Sequence, residues 1–208
     1  MNRCVIAGAA DIADYERIRG KLREDDFFIY CDGGLKHMAG LERTPGLIVG
    51  DFDSAQDPHL DVETIVLPCE KDDTDTVYAV KEAVKRGYEE FLLIGVCGGR
   101  LDHTLGNVSI LLYLDSIGKK AAILDDHSEM ELISGQTVRV EDRYLYFSLL
   151  NISGCAEGIT IRNAKYPLEE GTIHSEYQYG ISNEVLPGKT AEISVKKGNL
   201  LLIKIDRE

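Results

Sequence analysis

The sequence has no apolar run that approaches the ~20 residues of a membrane-spanning helix. No longer apolar region or small-residue cleavage site follows Met1, so the pattern of a secretory signal peptide is also missing. The five cysteines form no Cys-x-x-Cys pair, and their odd number and scattered spacing indicate reduced thiols in the cytosol. These absences predict a cytoplasmic protein that is not attached to a membrane.

Basic residues are scarce relative to acidic ones: 23 Lys and Arg stand against 36 Asp and Glu, a formal net charge of −13. Nucleic-acid binding without sequence specificity requires clustered Lys and Arg, so we expect no nucleic-acid partner. An anionic substrate would need a metal ion or local positive groups in a protein of this charge.

The first two-thirds of the chain alternate between short apolar runs and segments of helical spacing, which indicates a parallel sheet covered on both faces. Helices are predicted over Asp75–Arg86 and Leu101–Ile117, with Gly87 and Gly118 placed for left-handed caps. The residues expected on one face of the second helix are Leu101, Leu105, Val108 and Leu112. The predicted strands are Cys4–Ala7, Phe27–Cys31, Leu47–Val49, Thr64–Leu67, Phe91–Val96 and Ala121–Leu124.

The last third of the chain loses helical spacing from about Ser128 onward, and short β-type runs separated by turn signals replace it. This pattern predicts an antiparallel sandwich or open barrel. We place the boundary within Asp125–Ser134, so residues 1–127 form an α/β domain and residues 128–208 a β domain.

Aspartates follow four of the predicted strands, close to the point where each strand ends. Because the carboxyl ends of parallel strands lie on one edge of a sheet, where ligands bind, these side chains are expected to meet. Crowded carboxylates repel one another, and a divalent cation removes that repulsion. Oxygen ligands suit Mg²⁺, which commonly bridges to substrate phosphates. The aspartates are Asp32, Asp51, Asp53, Asp72, Asp73, Asp75 and Asp102.

Glycines accompany these aspartates at Gly33-Gly34, Gly50 and Gly98-Gly99, where they permit close backbone approach and offer N–H groups to phosphates. Arg100 can hold a phosphate oxygen with its guanidinium group. Taken singly, Asp32 and Asp75 each fit a helix cap or a turn better than a functional role. Taken together, the residues predict a Mg²⁺-dependent site for a nucleotide polyphosphate.

Several short motifs follow one another along the chain. They are Cys31-Asp32-Gly33-Gly34, Gly50-Asp51-Phe52-Asp53-Ser54, Lys71-Asp72-Asp73-Thr74-Asp75, Gly98-Gly99-Arg100-Leu101-Asp102-His103, Lys165-Tyr166-Pro167-Leu168 and Gly180-Ile181-Ser182-Asn183-Glu184. Each is weak alone, but in this order they resemble the thiamine pyrophosphokinase (thiamine diphosphokinase) family over nearly the whole chain.

The resemblance implies a parallel-sheet, three-layer α/β catalytic domain followed by an antiparallel β-sandwich domain that binds thiamine and forms a homodimer. It implies transfer of pyrophosphate from MgATP to the hydroxyethyl group of thiamine, which gives thiamine diphosphate and AMP. It also implies that each active site is shared, with thiamine between the catalytic domain of one subunit and the β domain of the other.

The resemblance further implies roles for individual residues. Mg²⁺ and the phosphates would be held by Asp51, Asp53 and Asp75, with Asp72 and Asp102 completing the catalytic carboxylates. The implied ATP contacts are Asp32, Gly33, Gly34, Gly98, Gly99, Arg100 and His103. The implied thiamine contacts are Asp75, Tyr166, Ser182 and Asn183.

Some features stay open at the level of sequence. Some relatives carry Gln where Lys71 stands and Trp where Tyr166 stands, so the contact made by Lys71 is not assigned, although Tyr166 can stack on a ring. The base that accepts the alcohol proton is either Asp72 or Asp75.

Three other functions compete with this interpretation. The Asp-x-Asp at Asp51 and Asp53 after an apolar strand also resembles a haloacid-dehalogenase-type phosphatase, in which Asp51 would be the nucleophile. A pyrophosphokinase for another alcohol, such as a pterin, would need the same metal edge. A nucleotide- or metal-sensing module would bind ATP without releasing AMP.

Overall fold

The computed structural model describes residues 2–52 and 60–206, which form two compact units divided after Asp126. The division lies one residue before the end of the α/β domain placed from the sequence. The predicted fold class, an α/β unit with a parallel sheet followed by an antiparallel β-sandwich, is confirmed.

The first unit contains a parallel sheet whose central strands are continuous buried runs, as expected for a sheet covered on both faces. Short helices α1 and α2 contribute Ile18 and Leu41 to the core on one face, while α3 packs against β1, β2 and β3. The described elements, in chain order, are β1 (Arg3–Ala7), α1 (Tyr15–Arg19), β2 (Phe27–Cys31), a 3₁₀ helix (Asp32–His37), α2 (Met38–Leu41), β3 (Leu47–Gly50), β4 (Thr64–Val66), α3 (Asp75–Lys85), β5 (Glu90–Ile94), α4 (Leu101–Ser116) and β6 (Lys120–Leu124).

The order of these strands in space is β6-β5-β1-β2-β3-β4, and every pair among them is parallel. From β1 the chain adds strands β2, β3 and β4 on one side of the sheet, whereas from β5 it adds β6 on the other side. The direction of winding therefore reverses between β1 and β5. In open α/β sheets a crevice for ligands forms at the carboxyl ends of the strands on either side of such a reversal.

The two long helices begin where the sequence predicts them and end one residue early, and Gly87 and Gly118 have left-handed φ values of 88° and 72° as expected. The buried face of α4 was predicted wrongly. Leu101 and Leu105 are exposed, at 71% and 62% of their surface. The residues that α4 buries are Asn107, Ile110, Leu111 and Leu114.

The second unit is a sandwich of two antiparallel sheets, ordered β12-β9-β14-β7 and β11-β10-β13-β8. Side chains from both sheets, among them Phe147, Ile161 and Leu202, share one buried core. Its strands are β7 (Ser128–Ile133), β8 (Val138–Glu141), β9 (Tyr146–Leu150), β10 (Cys155–Arg162), β11 (Leu168–His174), β12 (Gly180–Asn183), β13 (Thr190–Ser194) and β14 (Leu200–Ile205).

The boundary segment Asp125–Ser134 contains the strand β7, and Gly180–Asn183 forms the edge strand β12. No helix among the described residues is long and apolar enough to cross a bilayer. All five cysteines are free thiols.

Candidate active site

A cavity of about 610 Å³ opens at the carboxyl edge of the parallel sheet, a volume typical of small-molecule sites. The segments that follow β1, β2 and β5 line it, together with Asp51 after β3 and Lys71 and Asp75 near the start of α3. The cavity therefore occupies the crevice that the reversal of strand order creates.

Three carboxylates from separate segments meet in this cavity. Asp32 begins the 3₁₀ helix after β2, Asp51 follows β3, and Asp75 is the first residue of α3. Each offers one oxygen, and these oxygens all lie within 4.8 Å of one another. The prediction that strand-end aspartates converge on one edge is thus confirmed for these three residues.

The backbone around the carboxylates is shaped to bring them together. Asp32 has a φ of 32°, in the left-handed region that aspartate tolerates better than most residues. A Cβ on Gly50 would lie 2.9 Å from the Cβ of Asp32, so glycine is needed where β3 passes that residue. At the start of α3, the Thr74 hydroxyl accepts a hydrogen bond from the Val77 N–H at 3.3 Å, which caps the helix and fixes Asp75 in its first turn.

Lys71 joins two of the carboxylates. Its Nζ lies 2.6 Å from Asp51 Oδ2 and 2.8 Å from Asp75 Oδ1, and all three side chains are at most 21% exposed. Burial acts to lower the pKa of Lys71, but the hydrogen bonds and charges of Asp51 and Asp75 outweigh it and raise that pKa above its usual value. Lys71 is therefore a cation inside the acidic cluster, a position that the sequence left unassigned.

The donor set fits a hard divalent cation. Asp32, Asp51 and Asp75 supply oxygen ligands only, and three carboxylates within 4.8 Å of one another favour a multiply charged ion over the single charge of Lys71. Asp53, which the resemblance assigns to the metal, lies outside the described residues.

The loop after β5 presents backbone to the cavity. Gly98 and Gly99 have φ values of 101° and 63°, and no described atom lies within 4 Å of a Cβ built on either. The Gly98 N–H donates to Thr104 Oγ1 at 3.1 Å, which ties the loop to the first turn of α4. The left-handed glycines thus leave open space beside the backbone, which a ligand can approach closely.

Arg100 and Asp102 form an exposed pair at the start of α4. Arg100 Nε donates to Asp102 Oδ1 at 3.1 Å, and this partner lowers the pKa of Asp102 to about 2. Arg100 and His103 both line the cavity, and the contact of Arg100 with phosphate stays a prediction.

The loop after β1 also lines the cavity, although it was not predicted from the sequence. Backbone hydrogen bonds join it to the β5 side, from Gly8 N to Ile94 O at 2.9 Å and from Ala10 N to Gly95 O at 2.8 Å. A Cβ on Gly8 would lie 2.6 Å from the Gly95 carbonyl oxygen. The run Gly8-Ala9-Ala10-Asp11 directly after a strand was the available signal, but its importance depends on the strand order.

His37 anchors this loop through a hydrogen bond to its backbone. Its Nε2 lies 2.8 Å from the Ala10 carbonyl oxygen, which can only accept, so Nε2 carries the hydrogen and donates. Nδ1 then accepts from the Tyr15 hydroxyl at 2.7 Å. The ring is 1% exposed, and burial lowers the pKa of His37. The Ala10 carbonyl opposes that shift, as do the charges of Asp11 and Asp126, while Lys36 reinforces it.

We expect this buried histidine to make stability fall in mild acid. Because its folded-state pKa lies below the usual value of 6.5, the unfolded chain takes up a proton first as the pH falls through that value. The free energy of unfolding, from urea titrations at about pH 7.5 and about pH 5.5, should drop less in His37→Gln than in the wild type. The exposed His103→Gln serves as control, and equal drops in wild type and His37→Gln would contradict the assignment.

Asn107 is a buried polar residue of α4. Its Nδ2 donates to the Val96 carbonyl oxygen at 2.9 Å, and its side chain contributes to the cavity wall. Asn107 thereby fixes α4 to the end of β5.

Other residues named from the sequence lie away from the carboxylate cluster. Asp72 is exposed outside the cavity lining, and Asp73 pairs with Lys81 at 2.6 Å. Gly33 lines the cavity, whereas the backbone of β1 covers Gly34, on which a Cβ would lie 2.3 Å from Ala7 O.

Of the four residues predicted to face thiamine, Asp75 lies in the first unit, and the other three are close together in the second. Tyr166 is 59% exposed, and Ser182 has a φ of 57° with its N–H donating to Ser148 Oγ at 3.0 Å. Asn183 is buried: its Oδ1 accepts from Tyr166 N at 3.0 Å and its Nδ2 donates to Tyr166 O at 2.8 Å. Asn183 thus positions the backbone of Tyr166.

Comparison with protein families gives two matches that divide the chain. The profile described as "Thiamin pyrophosphokinase, catalytic domain" matches residues 19–123. The profile described as "Thiamin pyrophosphokinase, vitamin B1 binding domain" matches residues 136–200. A curated relative, the thiamine pyrophosphokinase of Bacillus subtilis (strain 168), is 26% identical over 195 residues, 90% of this chain and 91% of the relative.

Solved structures share the fold over the whole chain. Thiamin pyrophosphokinase from Geobacillus thermodenitrificans matches with a TM-score of 0.84 and 27% identity, covering 100% of this chain and 99% of that one. The Bacillus subtilis enzyme gives 0.87 at 23% identity with both chains fully covered, a likeness of fold. Since residues 19–123 are 105 of the 208, the catalytic profile alone spans half of the chain. The chain therefore belongs to the thiamine pyrophosphokinase family and is an enzyme of that type.

Proposed function

We propose that this enzyme transfers the pyrophosphate group of MgATP to the hydroxyethyl oxygen of thiamine, giving thiamine diphosphate and AMP. The observation that carries the proposal is the convergence of Asp32, Asp51 and Asp75 beside the crevice between β1 and β5. A polyphosphate chain is itself an anion, so in a protein of net charge −13 its charge must be neutralised by a divalent cation. The three carboxylates can bind that cation.

Asp32, Asp51 and Asp75 would hold Mg²⁺, and Asp53 stays a predicted ligand of the same ion. When bound, Mg²⁺ neutralises the phosphate oxygens and orients the triphosphate for in-line attack. Asp32 is 9% exposed, and Asp51 and Asp75 are 12% and 21% exposed in their side chains, so the carboxylates are partly shielded from water.

The nucleotide lies along the loops after β1 and β5. The open space beside Gly98 and Gly99 supports backbone contact with phosphate, and Arg100 provides a cation at the same rim. Asp32, Gly33 and His103 line the cavity and keep their predicted contacts with ATP, whereas Gly34 lies outside the lining.

The chemical step joins the thiamine oxygen to the β-phosphorus and releases AMP from the α–β bridge. The alcohol proton passes to a carboxylate, and Asp75 is favoured over Asp72 because it lines the cavity while Asp72 is exposed outside it. Asp102, already paired with Arg100, contributes charge at the rim.

Thiamine binds through the second unit, where the exposed ring of Tyr166 can stack on an aromatic ring of the vitamin. Ser182 completes that contact, and Asn183 supports it by holding the backbone of Tyr166. The cationic thiazolium of thiamine also suits an acidic protein, since the negative field attracts it.

The enzyme acts as a cytoplasmic homodimer with sites shared between subunits. Exposed apolar side chains support an interface: Leu101 and Leu105 in the first unit, Tyr177 and Ile181 in the second.

Light scattering of the purified enzyme should give twice the chain mass of 23.1 kDa. A monomer at catalytic concentrations would contradict the shared site.

Incubation with MgATP and thiamine, followed by chromatography, tests the reaction. We expect AMP and thiamine diphosphate in equal amounts, and no AMP without thiamine. ADP with thiamine monophosphate would indicate single-phosphoryl transfer, and phosphate release with a covalent phosphoaspartate at Asp51 would indicate the dehalogenase-type phosphatase. A pterin alcohol replacing thiamine at higher rate would reassign the acceptor.

A further inference from the structure

Lys71 occupies the position between two carboxylates of the proposed metal site. Its ammonium nitrogen contacts Asp51 at 2.6 Å and Asp75 at 2.8 Å, while the lysine side chain is only 16% exposed. Both aspartates belong to the set whose oxygens lie within 4.8 Å of one another. The cluster therefore already contains one cation, and it comes from the chain itself.

An ammonium group and a divalent cation cannot both use these oxygens without strong repulsion. Mg²⁺ binds carboxylate oxygens at about 2.0–2.1 Å and demands a near-octahedral shell, so it would lie close to the space that Lys71 Nζ fills. Lysine carries four rotatable bonds, so its ammonium can leave when another anion draws it away. A polyphosphate in the same cavity is such an anion.

We propose that Lys71 is an internal counter-ion that competes with free divalent cations for Asp51 and Asp75, so that the metal binds together with the nucleotide rather than before it. This inference rests on the proposed function for the identity of the nucleotide. The lysine is a positioning residue: it sets the order in which metal and nucleotide arrive and keeps the carboxylates together until they do.

Titration of Mn²⁺ into the nucleotide-free, full-length protein, followed by electron paramagnetic resonance of free Mn²⁺, tests the competition directly. We expect Lys71→Met to bind Mn²⁺ at least about 10-fold more tightly than the wild type, because its side chain has similar length but no charge. An unchanged or weaker affinity in Lys71→Met would overturn the proposal. Lys71→Gln is a second variant, for which the same increase is expected and the same failure counts against it.

Two controls separate this role from a general effect of charge or folding. Lys81→Met removes a lysine that pairs with Asp73 at 2.6 Å outside the cavity lining, and its Mn²⁺ affinity should equal that of the wild type. Lys71→Arg restores a cation and should bind Mn²⁺ as weakly as the wild type. Equal tightening in Lys81→Met or Lys71→Arg would refute a competition specific to Lys71. Since no thiamine or ATP is present, failure here leaves the product assay for the proposed function unaffected.

Discussion

Asp51→Asn is expected to lose more than about 100-fold in turnover at saturating Mg²⁺ and ATP. Even outer-shell partners of a bound metal cost about 10–100-fold when they are removed, so loss of a ligand charge should cost more. Asparagine keeps the size of the side chain, and Lys71 keeps Asp75 as a partner at 2.8 Å. The fold should therefore survive, and thermal melting should stay close to that of the wild type.

Asp25→Asn is the matched control for this substitution. Asp25 is exposed and precedes β2, so it lies at the amino edge of the sheet, opposite the carboxylate cluster. We expect it to retain full activity. If Asp51→Asn also retained near-wild-type activity, the metal assignment would be wrong, whatever the identity of the acceptor alcohol.

Gly34→Ala is expected to destabilise the first unit by about 3 kcal/mol or more. A Cβ at this position would lie 2.3 Å from the Ala7 carbonyl oxygen and 3.0 Å from that of Gly8. Both neighbours are backbone atoms of the strand and loop that form the cavity, so the clash cannot be relieved by rotating a side chain. Urea denaturation or yield of soluble protein measures the loss.

Gly33→Ala tests whether that loss is specific. On Gly33 the nearest atom to an added Cβ is the Ala9 Cβ at 3.2 Å, a side-chain contact that a small shift relieves. We expect Gly33→Ala to unfold within about 1 kcal/mol of the wild type. Equal stability of the two variants would show that the close passage of the 3₁₀ helix over β1 is described wrongly.

The convergence of aspartates was predictable because it depends on one rule about parallel sheets. Asp32 and Asp51 each follow a buried strand, and strands of one direction end on one edge. Asp75 was predictable for a different reason, since Thr74 and the apolar spacing after it mark the start of α3. Both signals depend only on residues that are near one another in the sequence, so they can be recognised before the tertiary structure is known.

The exposed face of α4 shows why periodicity alone was insufficient. Leu101 and Leu105 begin an apolar stripe, and such a stripe indicates burial without saying what covers it. The face of α4 that is buried contains Asn107, Ile110 and Leu114. The apolar stripe at the start of the helix therefore remains exposed. An apolar stripe that serves an interface has the same sequence pattern as one that serves a core.

The remaining parts of the site depend on strand order, which sequence patterns do not fix. The loop at Gly8–Asp11 became part of the cavity because β1 lies next to β5, and His37 supports it through Ala10. The contacts of Lys71 likewise require β3 and α3 to be placed side by side. Each of these residues is unremarkable in the sequence until its neighbours in space are known.

A crystal structure with Mn²⁺ and a non-hydrolysable ATP analogue would show whether the carboxylate cluster holds the metal and the triphosphate. We expect an anomalous manganese peak bonded to carboxylate oxygens of Asp51 and Asp75, with the phosphates reaching the loop at Gly98-Gly99. A manganese ion and triphosphate bound elsewhere, with these aspartates still held by Lys71, would contradict this metal assignment.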